Sequence, residues 1–364
     1  MIEELRLFRL KVPLTKPYKL AFGPVSHFDT ILVHVAADGR IGWGEATILT
    51  GYTDEDIDGS WQLARSLAEG LPGLSCVAAK TALADAFRRA PFTVTSLTTA
   101  IEMCEGSSLL DVAAPTEVLL LAAIEATDLP AVEIEIERHV AAGFRTLKVK
   151  VGFDPEQDAA RVAAIQRLVR GRAELRIDAN QGYTREAACR FVSSVDPTGI
   201  QLFEQPCAAD DWEGAQLVAK SSPLPLMLDE SIYGEADIER AATLKSAAFI
   251  KLKLMKLGSL ERLDRALERI RQLGMEPVLG NGVATEIGCW MEACIARRRI
   301  RNAGEMNGYL RQRIRLAPDC LPVRRGHLIL DAAPALDMPT VDSVSVERAH
   351  YARQPVLAHG TARQ

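Results

Sequence analysis

Three carboxylates each end a short apolar run: Leu-Arg-Ile-Asp178, Ile-Gln-Leu-Phe-Glu204 and Leu-Met-Leu-Asp229. Two further runs flank them, Thr-Leu-Lys148-Val-Lys150 and Phe-Ile-Lys251-Leu-Lys253, each with lysines at i and i+2. Three oxygen donors with no Cys or His beside them suit Mg2+, or Mn2+ as a substitute, and argue against zinc. A lysine in an apolar strand is costly to bury unless paired. One lysine of each pair can approach a substrate while the other lowers its pKa by like-charge repulsion, which makes a competent general base. Such a set can remove the α-proton of a carboxylate whose enediolate is stabilised by the ion and a nearby ammonium. Lysines on opposite sides of the ion would address opposite faces of the α-carbon. The plainer readings are that strand-end acids cap the following helices and that the lysines only salt-bridge neighbouring carboxylates. Capping accounts for a single acid more easily than for three consecutive strands that end alike.

The elements that must position these residues follow from the spacing. From Lys150 the charged ends recur after 28, 26, 25 and 24 residues, at 178, 204, 229 and 253. That is about one strand, one helix and two loops, the period of a (β/α)8 TIM barrel, whose chemistry sits at the C-terminal ends of its strands. The pattern predicts strands at 118–124, 145–151, 174–179, 200–204, 225–229, 247–253, 276–280 and 302–306. Helices are predicted between them, at 130–142, 155–170, 184–194, 211–219, 235–243, 258–273 and 284–298. Ahead of the barrel, residues 2–14, 29–37 and 41–46 alternate like strands. Pro13 and Pro17 break the first, and 17–27 reads as a loop. Helical patterns at 58–70, 77–89 and 95–105 complete an α+β module. The expected divisions are a capping domain at 1–115, a catalytic barrel at 116–315 and a segment at 316–364 that returns to the cap.

Composition narrows the function classes. The chain of 364 residues is 48% hydrophobic and 25% charged with a formal net charge of -5, which gives no steering towards nucleic acid or an anionic membrane. The Arg297–Arg301 run is expected to close a helix C-terminus. Seven cysteines without CxxC spacing argue for reduced thiols in a cytoplasmic protein. There is no apolar signal core at the start and no apolar run near the ~18 residues of a membrane span.

In order and spacing, Lys148-Val-Lys150, Asp178-Ala-Asn180, Glu204-Gln-Pro206, Asp229-Glu230-Ser231 and Lys253-Leu-Met-Lys256-Leu-Gly258 resemble the enolase superfamily, in its muconate lactonizing enzyme subgroup. The resemblance covers nearly the whole chain and implies a modified (β/α)8 TIM barrel with an N-terminal α+β capping domain. It implies metal ligands at Asp178, Glu204 and Asp229, acid/base catalysts at Lys150 and Lys253, and Lys148 in support. It also implies a small-molecule carboxylate substrate and a homo-oligomer. The mandelate racemase subgroup uses a late-strand His, and this chain has none between His139 and His327. In the family two cap loops, here about 17–27 and 48–54, close over the mouth; Tyr18, Phe22, Leu49 and Tyr52 are the candidate substrate contacts, with packing inside the cap as the other reading. Asn180 and Asn281 are further candidates. Related dipeptide epimerases carry Asp-x-Asp on the eighth strand to hold a substrate ammonium. Here that strand ends Gly304-Glu305-Met306-Asn307, which weakens the dipeptide reading while leaving Glu305 a candidate for meeting a cation.

Two reactions fit the ring. One is racemisation or epimerisation of an amino-acid-derived carboxylate. The other is a lyase reaction, cycloisomerisation or syn-dehydration, from the same enediolate. A barrel that binds metal and ligand without turnover is the rival from another class.

Overall fold

The computed structural model describes residues 1–20, 23–49 and 53–353. The chain opens with an antiparallel meander, β1 (Ile2–Leu20), β2 (Gly23–Ala37) and β3 (Arg40–Thr47), followed by helices α1 (Ile57–Glu69), α2 (Cys76–Phe87) and α3 (Pro91–Glu105). Next come β4 (Thr116–Leu119) and β5 (Ala122–Ile124), then alternating α4 (Leu129–Ala141), β6 (Thr146–Lys150), α5 (Pro155–Val169), β7 (Glu174–Asp178), α6 (Arg185–Ser194), β8 (Ile200–Glu204), α7 (Trp212–Ser221), β9 (Leu226–Leu228) and α8 (Glu235–Leu244). The alternation runs on through β10 (Phe249–Leu252), α9 (Leu254–Leu257), α10 (Leu260–Gln272), β11 (Glu276–Leu279) and α11 (Glu286–Arg299). The chain closes with β12 (Val323–Arg324), β13 (His327–Leu330), α12 (Met338–Val344) and β14 (Ser345–Ala352).

Strands β5 to β11 form one parallel sheet in sequence order. The eighth position is filled by residues 303–305. Gly304 N donates to Leu119 O, Leu121 N to Gly304 O, and Glu305 N to Leu279 O, at 2.9, 3.0 and 3.1 Å, which joins β11 to the start of the sheet. The fold is therefore a modified (β/α)8 barrel beneath an α+β cap. Local chemistry sets its helices: Asp128, Asp154, Thr184, Asp211, Ser259 and Thr285 each accept a backbone N–H as N-caps of α4, α5, α6, α7, α10 and α11. Arg297, Arg298 and Arg299 lie in the last turn of α11, as the cation run suggested.

The structure corrects several expectations. The apolar run 118–124 is not one strand: β4 turns outward to pair antiparallel with β13, and only β5 enters the barrel. The expected eighth strand at 302–306 is reduced to bridges, because Gly304 and its neighbours supply no strand-forming pattern. β1 does not stop at Pro13 but runs to Leu20. The β1–β2 ladder resumes at Tyr18 after a register shift, and Leu14 in the gap bridges Gln312 instead. The expected helix 258–273 is two helices, since Gly258 adopts a left-handed backbone (φ 80°) that ends α9 before Ser259 caps α10. The C-terminal segment splits its contacts. β13 packs on β4, and β14 adds an edge to β1, giving the cap sheet the order β14-β1-β2-β3.

Cap and barrel are tied by buried side chains. Glu45 on β3 accepts from Thr285 N (2.7 Å) and Glu102 on α3 from Leu260 N (2.8 Å), so two cap carboxylates plug the N-termini of α11 and α10. Thr95 Oγ1 donates to Met255 O at 3.1 Å.

Candidate active site

Parallel pairing sets the heights of the charged residues. Lys148 lies opposite Arg176, Lys150 opposite Asp178, and Asp178 opposite Glu204, so lysines two apart on one strand face the same side at different depths. Lys148 and Lys251 form the lower layer and are 4% exposed in their side chains. Lys148 Nζ stands 2.8 Å from Asp178 Oδ2, 2.9 Å from Glu204 Oε2 and 3.2 Å from Glu305 Oε2. Lys251 Nζ donates to the same Glu305 oxygen and lies 3.2 Å from Glu204 Oε1 and 3.6 Å from Asp229 Oδ2. Burial alone would lower both lysines. Asp178, Glu204 and Glu305 instead hold Lys148 well above its ordinary value, and Glu204 and Glu305 likewise raise Lys251. The salt-bridging reading thus describes the inner pair.

The outer pair stands at the rim. Lys150 is 45% exposed in its side chain and donates to Asp178 Oδ2 at 2.6 Å and to Asn180 Oδ1. Lys253, 9% exposed, donates to Asp229 Oδ2 at 2.8 Å. Since β6 and β10 flank β7, β8 and β9, the rim lysines bracket the three acids. Burial would raise Asp178, but Lys148, Lys150 and Lys251 bring it down to about 2. Against the same burial, Lys253, Lys256 and Lys251 hold Asp229 well below its ordinary value, and Lys148 and Lys251 do so for Glu305.

Residues given no role from sequence, together with the candidate Asn180, organise this ring. Lys256, fully buried, donates to Asp229 O (2.7 Å), Asp229 Oδ1 (3.1 Å) and Ile232 O (3.1 Å). Burial brings its ammonium down to about 8. Gln205 Oε1 accepts from Asp229 N (2.9 Å) and Ser231 N (3.2 Å) and so fixes the turn after β9. Asn180, at φ 42°, donates its backbone N–H to Asp178 Oδ1 and its side-chain amide to Glu230 Oε1, both at 2.9 Å. Burial, with Asp229 and Asp178 nearby, pushes Glu230 up to about 7. Asp158 on α5 accepts from Gly152 N, Phe153 N and Tyr183 Oη at 3.0, 2.9 and 2.6 Å, holding the loop just after Lys150. A polar residue inside an apolar run was the available signal for Lys256. Nothing local marks Gln205 or Asp158.

The remaining candidates divide. Asn281 is buried, with its amide on Met255 Sδ and its oxygen accepting from Val283 N at 3.1 Å, so its polar atoms serve the fold. Leu49 is buried in the core. Tyr18 packs edge-on to Phe28 and carries the Arg311 guanidinium 4.7 Å above its ring. Phe22 and Tyr52 lie outside the described residues.

The donor chemistry of Asp178, Glu204 and Asp229 fits a hard divalent cation: all oxygen, buried, and on three neighbouring strands. As placed, the three are bridged by ammonium groups. Among the described residues no three Asp, Glu, His or Cys side chains converge as a ready metal cluster.

Residues 131–336 match the family described as enolase C-terminal domain-like. The chain is 28% identical over 297 residues to the L-Ala-D/L-Glu epimerase of Bacillus subtilis (strain 168), covering 77% of this chain and 80% of that protein. It is 30% identical over 292 residues to the L-Lys-D/L-Arg epimerase of Methylococcus capsulatus, covering 74% and 79%. The crystal structure of a dipeptide epimerase from Cytophaga hutchinsonii, complexed with Mg and D-Ala-L-Val, superimposes with a TM-score of 0.87 over 96% of this chain and 99% of that one, at 20% identity. At that identity the likeness shows the fold.

Proposed function

The chain belongs to the enolase C-terminal domain-like family, and on that footing we propose that it is a Mg2+-dependent racemase or epimerase of an amino-acid-derived carboxylate. The observation that carries this reading is the pair of outer-layer lysines, Lys150 and Lys253, at the C-terminal ends of the two strands that bracket Asp178, Glu204 and Asp229. The relatives' names, L-Ala-D/L-Glu and L-Lys-D/L-Arg epimerase, point to the same reaction class.

In this reading Asp178, Glu204 and Asp229 hold Mg2+, with Mn2+ as a substitute. When bound, the ion polarises the substrate carboxylate and stabilises charge in the enediolate. Lys150 takes the α-proton from one face and Lys253 returns one to the other; for the opposite enantiomer the roles exchange. Lys148 and Lys251 do not move protons. Their ammoniums, fixed by Glu204 and Glu305, form a preorganised positive layer beneath the developing charge. Lys256 and Gln205 keep Asp229 in place. The seven cysteines are all free, in keeping with a cytoplasmic setting. Homo-oligomerisation is carried over from the family resemblance.

The test is a panel of L- and D-configured dipeptides and N-acylated amino acids with Mg2+, followed by circular dichroism and mass spectrometry. A change of optical activity at constant mass is expected, to zero for compounds with a single stereocentre, and a chelator should stop it. A product lighter by one water, or a ring-closed product, would replace this reading with the dehydratase or cycloisomerase one.

A further inference from the structure

Lys253 stands in extended backbone just ahead of the short helix α9, and Leu254 N is the first amide of that helix. An amide in that place is ordinarily met by a Ser, Thr, Asp or Asn side chain at the position Lys253 fills. A lysine has no acceptor to offer, and no side chain at that position caps α9. Glu292 supplies the acceptor from α11: its Oε1 accepts from Leu254 N at 2.8 Å. Lys253 and Lys251 both favour the charged form of its carboxyl, so the group sits in the field of that lysine pair. The same short helix is held at Met255 O by Thr95 of the cap, at 3.1 Å, and carries Lys256, which grips Asp229.

Stability alone does not ask for an acid there. Glu292 is 1% exposed and lies within residues 287–296 of α11, which are all buried and otherwise apolar. Burying a carboxyl costs free energy that an apolar side chain of similar size would not. The opposite flank is built in the same way. Asp158 of α5 accepts from Gly152 N and Phe153 N, just after Lys150. On each side an acid from the helix layer fixes the backbone that follows an outer lysine, and on the Lys253 side it takes the very next amide. The reach of a general base is set by that backbone, and a misplacement of about 1 Å costs about 10²-fold in rate.

We propose that Glu292 is a positioning residue for Lys253: by holding the first amide beyond that lysine, it fixes Nζ against one face of the reacting carbon and governs the proton transfers at that face only. This rests on the function proposed above and adds to it a residue that acts without touching substrate.

The experiment follows α-deuterium uptake in D2O with Mg2+, from each enantiomer separately, for a compound the protein turns over. Lys253→Ala identifies the enantiomer whose proton Lys253 removes. Glu292→Leu, an apolar side chain of similar size, should slow exchange of that enantiomer by about tenfold to 10²-fold and leave the other within about twofold, with KM little changed. Glu292→Gln, whose amide oxygen still accepts from Leu254 N, should exchange both as the wild type does. Glu292→Asp, which withdraws the carboxyl along the same path, should show the selective loss in smaller measure and carries the test if the Leu variant does not fold. Hydrogen exchange at the Leu254 amide is a readout independent of substrate: it should quicken in the Leu and Asp variants and stay at the wild-type rate in the Gln variant, with the amides around Lys150 unchanged. A residue that merely supports the fold would slow both enantiomers together, in step with the urea midpoint. That result, an unimpaired Leu variant, or a Gln variant as impaired as the Leu one would overturn the proposal. If the wild type exchanges no compound, the reaction proposed above falls, and the anchor stands or falls with whether protection of the Leu254 amide follows the acceptor at position 292.

Discussion

Lys148 and Lys251 share one Glu305 oxygen, whereas Lys150 meets Asp178 and Lys253 meets Asp229 in the outer layer. Substitutions in the two layers should therefore fail in different ways. Lys251→Met leaves Glu204 and Glu305 buried with less compensation, and removing one partner of a buried pair typically costs about 3–5 kcal/mol. Urea unfolding should show that loss along with reduced activity. Lys150→Ala should leave the urea midpoint nearly unchanged, whereas Lys253→Ala, which takes a cation from buried Asp229, should lower it; both should cut racemisation by roughly 10²–10⁴-fold, the usual worth of a general base. A large stability loss in Lys253→Ala with turnover retained would argue that it is only a structural cation. The chemical types at this scale were legible in sequence, because a charge that ends an apolar strand has few other uses. The depth of each lysine was not. Lys148 and Lys150 look equivalent in the chain, and only the far-off Glu305 separates them.

Elements act on the site through the loops they hold. Asp158, in the first turn of α5, ties down Gly152 and Phe153 two and three residues after Lys150. Asp158→Ala orphans two backbone donors and the Tyr183 hydroxyl. It should cost about 1–3 kcal/mol in thermal unfolding and lower kcat more than it changes Mg2+ affinity, since the acids on β7 to β9 are held elsewhere. A change confined to Mg2+ affinity would contradict this. The strand period was readable because parallel strands are apolar on both faces and each of these runs ends on a charged residue. The division of 118–124 into β4 and β5 was not, since the partner that pulls β4 outward, β13, lies some 200 residues on and leaves no mark in local alternation.

For the whole molecule, buried carboxylates, two at the seam between cap and barrel and one within the barrel, make stability depend on pH. Burial pushes Glu45 and Glu102 up to about 7, and Glu292, which accepts from Leu254 N, up to about 8. Each keeps a proton in the folded chain that the unfolded chain releases near 4.5. Their stabilising contribution is therefore complete below that value and is lost as pH rises through about 7 to 8. Tm should fall between about pH 5 and pH 8.5 and fall less steeply in Glu102→Gln, whose amide oxygen can still accept from Leu260; a Tm that rises over that window would contradict the assignment. The central claim is that two lysines work on opposite faces of one carbon, and deuterium uptake tests it most directly. With Mg2+ in D2O, the wild-type protein should exchange the α-proton of both enantiomers of a turned-over N-acylated amino acid, followed by NMR. Lys150→Ala and Lys253→Ala should each exchange only one enantiomer, opposite in the two variants, with no inversion. Exchange of both enantiomers by either variant, or of neither by the wild type while the compound binds, would contradict the account.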